Sequence, residues 1–165
     1  MKLSQHIKEN LNLSFPIMIS QLGHISVGVI DSIMVGNISF TQLGAVSLST
    51  SIFAFILLFC IGLSYGITPL ISSNKSDTNY VSKTFYNGLY LNLFFTVTLV
   101  IATIYLKFFL QYLGQDEEVL YHTYRYFDII CISLIPLILF QTFKQFIEGL
   151  GHTKPAMYIS IFSNV

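Results

Sequence analysis

Hydrophobic positions in this chain fall into long blocks separated by short polar intervals, and the blocks have membrane length. A helix needs about 20 apolar residues to cross a hydrocarbon core of roughly 30 Å. Stretches of that kind cover residues 13–35, 48–71 and 84–106. A fourth covers 125–145, with an uncharged centre between Asp128 and Lys144 and with Tyr124, Tyr126 and Phe127 as its interfacial turn. A fifth opens at Lys154-Pro155, where a proline in the first helical turn loses no needed hydrogen bond. Its residues 156–165 amount to about 15 Å of helix, half a bilayer. The pattern predicts an all-α integral membrane protein with four complete transmembrane helices plus the start of a fifth. It also leads us to expect an N-terminal fragment of a longer protein.

Shorter segments fit the same picture. Residues 1–12 place Leu3, Ile7 and Leu11 on one helical face, with Lys8 and Glu9 towards water, predicting an amphipathic cytoplasmic tail. The stretch from Gln115 to Asp128 opens with acids, as a helix N-terminus favours. It is expected to lie along the outer interface before turning inward. The first loop is expected at 37–47.

Composition narrows the class. Only 10% of the 165 residues are charged, 53% are hydrophobic, and the mean hydropathy is +0.68. Soluble domains carry about 25% charged residues. The net charge is zero and no basic tract exists, which argues against a nucleic-acid partner. Cys60 and Cys131 sit in apolar blocks and read as buried hydrophobes. No nucleophile–base pair, metal cluster or cofactor motif is present, so an enzyme is not expected and neither is a cofactor. Lys2, Lys8, Lys75, Lys83, Lys144 and Lys154 flank one side, against Lys107 and Arg125 on the other. That six-to-two imbalance places the N-terminus in the cytoplasm.

One residue interrupts the apolar pattern. Between Glu9 and Lys75 the only formal charge is Asp31, inside the first block. A carboxylate at hydrocarbon depth costs roughly 2.5–3.5 kcal/mol on insertion scales, so such residues mark functional sites by default. Gln21, His24, Gly28 and Asp31 share about 80° of one helical face. Low dielectric disfavours the charged carboxylate. A group so placed can exchange a proton, hold Na⁺, or attract a cationic substrate. Plainer readings compete: Asp31 as a solvated interfacial group, His24 as a structural hydrogen-bonding partner, and Gln21 as interhelical glue. In the second block, Gly62 and Gly66 form a small-xxx-small pattern suited to close helix approach. Thr68-Pro69 predicts a kink near the inner end. Pro136 frees a backbone carbonyl in the fourth block, as cavity-lining breaks in transporters do.

Several strings together resemble the multidrug and toxic compound extrusion (MATE) family. Pro16, Gln21, Asp31 and Gly36, in the pattern P-x4-Q-x9-D-x2-M-V-G, resemble its opening helix. Leu43 to Ser47 (LGAVS) is similar to its first loop, and FQTFKQFIEGLGHTKPAM, from Phe140 to Met157 with Gly149, Lys154 and Pro155, to its loop between helices four and five. The resemblance implies part of the N-terminal six-helix lobe of a twelve-helix transporter of the family's bacterial branch, in the inner (plasma) membrane. It implies exchange of H⁺ or Na⁺ for cationic amphipathic drugs, with Asp31 as the cation or proton site. Gln21, His24, Gly28, Tyr126 and Pro136 are then candidate cavity residues. Partners implied are the lipid bilayer, a small cationic substrate and the remaining helices, without which residues 1–165 are expected to be inactive. A lipid-linked oligosaccharide flippase of the same superfamily and a non-transporting membrane scaffold are the alternatives.

Overall fold

The computed structural model describes residues 3–162, except the side chains of 3–9, 12, 13, 20, 24, 113, 160 and 161. Among the described residues six α-helices follow one another: α1 (Leu3–Gly36), α2 (Phe40–Tyr65), α3 (Ile67–Ser73), α4 (Thr78–Leu106), α5 (Glu117–Gly149) and α6 (Thr153–Phe162). A 3₁₀ segment, Lys107–Leu113, joins α4 to α5 and ends at Gly114, whose φ of 68° turns the chain. Four stretches are long and apolar enough to cross a membrane: Ser14–Gly36, Phe40–Ser73, Thr78–Tyr112 and Glu117–Gly149. No strand occurs among the described residues. The fold is all-α and membrane-spanning.

Helix α5 is the hub, packing broadly against α2 and α4 and also against α3. Phe53, Cys60, Val100, Leu134 and Ile138 form the central apolar cluster. A second cluster, Ile67, Ile71 and Val81, sits under Phe146 and Leu150. Phe85 joins it by ring contacts to Phe143 and Phe146 at 5.4 and 4.5 Å. Cys60 and Cys131 are buried free thiols. Helix α1 packs on α6 and more lightly on α2, and presents Leu22, Ile25, Val29 and Ile33 outward.

The structure redraws several boundaries. The first loop is only 37–39, because Ser39 caps α2 by accepting a hydrogen bond from the Thr41 amide. The LGAVS string therefore lies inside α2. Residues 3–12 continue directly into α1, and the acid-led stretch from Glu117 continues directly into α5, rather than forming separate surface helices. Lys144 is buried within α5 and not in a flanking loop, so the six-to-two count becomes five to two. Pro155 is the third residue of α6, still within the turn whose amides have no intrahelical partner.

The expected kink is a one-residue interruption at Gly66, between α2 and α3, where the backbone keeps helical angles (φ −61°, ψ −23°). Proline clashes with the carbonyl four residues earlier and cannot bond it. For Pro69 that carbonyl belongs to Tyr65, the last residue of α2. The expected close approach at Gly62 is not found, since a Cβ there would meet nothing within 4 Å. Tight contacts occur instead at two other glycines, both against α3. A Cβ on Gly149 would lie 3.1 Å from Ile71 Cβ and 3.2 Å from the Thr68 carbonyl oxygen, and one on Gly88 would lie 2.8 Å from Ile67 Cδ1.

Gly149→Ala should therefore destabilise the protein by about 1–3 kcal/mol, because backbone and a branch point must shift. Gly88→Ala should cost less, since the opposing atom is the free end of a side chain. Gly62→Ala should be neutral or stabilising. Thermal unfolding of the three variants in detergent checks the ranking.

Candidate functional site

The polar face of α1 is open. Gln21, Gly28 and Asp31 are exposed, and a Cβ on Gly28 would meet nothing within 4 Å. The side chain of His24 lies outside the described residues. Ser32 donates back to the Gly28 carbonyl at 2.8 Å, so it adds no link to another helix. Gln21 does link helices: its Nε2 donates to Tyr65 Oη, at the end of α2, at 3.4 Å. Asp31 makes no hydrogen bond or ion pair among the described residues. Its carboxylate acts electrostatically on the Tyr126 hydroxyl of α5.

Beside them, Val35, Gln42, Val46, His122, Arg125 and Tyr126 line a cleft of about 390 Å³ between α1, α2 and α5. Arg125 is engaged locally, donating to Tyr121 Oη at 3.3 Å. Lys107 donates to both oxygens of Asp128 at 2.6 Å, pinning the 3₁₀ segment to α5. Pro136 is exposed, and α5 runs past it without a break. Among the motif positions, Pro16 is buried, Gly36 packs near Leu43, Gly149 makes the approach described above, and Lys154 and Pro155 are exposed.

A second polar region, absent from the sequence reading, occupies the other end of the bundle. Asn92 on α4 is buried and donates to Ser64 Oγ at 3.0 Å and to Thr142 Oγ1 at 2.8 Å, joining α2, α4 and α5. Thr68 on α3 donates to the Gln145 carbonyl at 3.0 Å and contacts Gln145 Oε1 at 2.5 Å. Lys144 and Glu148 are buried beside them. The span at 125–145 already holds Gln141, Thr142 and Gln145, and one further turn adds Glu148 to the same helical face.

The fold and site define a multi-pass helical membrane protein with a polar, acid-bearing first span and a cleft beside it. The particular family follows from comparison. The MatE family profile matches residues 16–165, and the chain belongs to that family. It is 27% identical over 158 residues to the probable multidrug resistance protein NorM of Photorhabdus laumondii, covering 94% of this chain and 35% of that one. It is 30% identical over 154 residues to the probable NorM of Streptococcus pneumoniae serotype 4, covering 92% and 34%. A solved transporter of the MOP superfamily from Pyrococcus furiosus, described as having a binding pocket of reverse polarity that suggests a different function, superposes with a TM-score of 0.82. It is 19% identical and covers 95% of this chain and 35% of that one, a likeness of fold. The chain spans about a third of the length of these relatives.

Interhelical hydrogen bonds in membranes average about 0.6 kcal/mol and reach about 1.7. Asn92→Leu removes two of them, so it should destabilise by about 1–2 kcal/mol. Ser64→Ala, which removes one, should cost about half as much. Thermal stability in detergent gives the comparison.

Proposed function

We propose that this chain provides the first spans of a secondary active antiporter that exports cationic amphipathic compounds in exchange for H⁺ or Na⁺. Membership of a family whose relatives are named multidrug resistance proteins supports the class. The observation that carries the mechanism is Asp31, an exposed carboxylate on the first span without a hydrogen-bond or ion-pair partner among the described residues. In low dielectric an unpaired carboxylate binds a proton, a small cation or a cationic ligand in competition. Competition at one carboxylate is the chemical basis of exchange: the ion enters as the drug leaves. Gln21, His24, Gly28 and Tyr126 are the residues we assign to the cavity around it, and Pro136 to helix flexibility behind it. The N-terminus is assigned to the cytoplasm on the five-to-two distribution of flanking cations, and the protein to the bacterial inner membrane on its bacterial relatives.

The test uses the gene at the length of its relatives. Asp31→Asn should reduce efflux of a cationic dye, driven by an imposed H⁺ or Na⁺ gradient, by at least about tenfold, equivalent to 1.4 kcal/mol. The amount of protein in the membrane should not change. Undiminished efflux would remove Asp31 from the mechanism. Residues 1–165 expressed alone should give no gradient-driven efflux.

A further inference from the structure

At the end of the bundle remote from Asp31, α5 buries an ionisable pair that the proposed exchange does not use. The side chains of Lys144 and Glu148 are 7% and 8% exposed, and Nζ lies 4.0 Å from Oε1. Charge-assisted hydrogen bonds of this type are about 2.7–2.9 Å long. The Glu148 oxygen accepts no hydrogen bond, and Lys144 has a further interaction of its own. A buried ion pair with a purely structural role needs good geometry and satisfied lone pairs to offset its desolvation. Here the separation is long and Glu148 Oε1 is unsatisfied.

Two more buried polar atoms lack partners in the same region: Gln145 Nε2 and Asn92 Oδ1. Asn92 reaches α5 through Thr142, and Thr142, Gln145 and Glu148 follow at intervals of three residues. The strip is about 9 Å long. It offers an acceptor, a donor and an acceptor in turn. Buried water takes two to four such partners, and a carboxyl at the end of a hydrated strip can reach protons in bulk solvent.

We propose that Glu148 is a proton-binding carboxyl at the opposite end of the lobe from Asp31. A hydronium ion from the aqueous side near Gly151 gives one proton to a carboxylate oxygen. An O–H bond forms there, one O–H bond of the hydronium breaks, and water is released. Lys144 keeps its charge, so the pair passes from neutral to singly positive. Among the described residues, Asp77 at the start of α4 and His152 just after α5 also lie at this end, and both are exposed. Helix α3 carries no ionisable side chain. Lys83 on α4 and Lys154 on α6 are exposed. The ammonium of Lys75 lies 3.3 Å from where a Gly151 Cβ would stand.

The test is spectroscopic, so it stands or falls apart from the antiporter reading. Difference infrared spectra are recorded between about pH 5 and about pH 9 on the full-length protein in lipid vesicles, where a buried carboxyl titrates. The C=O stretch of a protonated carboxyl should appear in the parent and persist in Asp31→Asn. It should vanish in Glu148→Gln and move in frequency in Glu148→Asp. A parent spectrum without such a band, or a band untouched by Glu148→Gln, overturns the assignment. If Glu148→Gln fails to insert, an unshifted band in Glu148→Asp overturns it instead.

Discussion

Inside a bilayer, a helix that stops must find support for its freed backbone from neighbouring protein, because no water is there to supply it. The interruption at Gly66 falls under this constraint. Pro69 removes the helical hydrogen bond to the Tyr65 carbonyl, and α3 packs on the last turns of α5 through the Thr68–Gln145 hydrogen bond. Gly149 has no side chain, and only that lets α5 come close enough to Ile71 and to the Thr68 carbonyl. Gly88 plays the corresponding part on α4 against Ile67. Gln145 of α5 is buried against this interruption through its contact with Thr68, and Phe85 packs on Phe143 and Phe146 of the same helix.

The two ends of the lobe are consequently different in kind. At one end, Asp31 and its neighbours on α1 are exposed, with a cleft beside them. At the other, Asn92, Gln145, Lys144 and Glu148 are enclosed and tie helices together. Helix α5 links the two: Tyr126 near its start meets the field of Asp31, and Glu148 lies 22 residues further on, about 33 Å along the helix.

Apolar block length alone was enough to reveal four spans, because hydrocarbon thickness is a strong filter on sequence. Asp31 stood out for the same reason, as a charge where charge is costly. The inner polar strip did not stand out. Lys144 looked like the end of a span, when in fact α5 carries it and Glu148 into the packed interior. Loops were also overestimated. A serine cap at Ser39 and an unbroken α5 are local and cooperative effects that average hydropathy does not register. Gly62 and Gly66 illustrate a further limit: a small-residue pattern permits close approach but does not say which helix will use it.

The Thr68–Gln145 contact also imposes an order in time. Its partners are 77 residues apart in the chain. At a synthesis rate of about 5–20 residues per second, the second partner follows the first by roughly 4–15 s. Throughout that interval the interruption at Gly66 has entered the membrane without the helix that supports it. A chaperone or the insertion machinery has a defined window in which to shield one specific turn, and the arrival of α5 closes it.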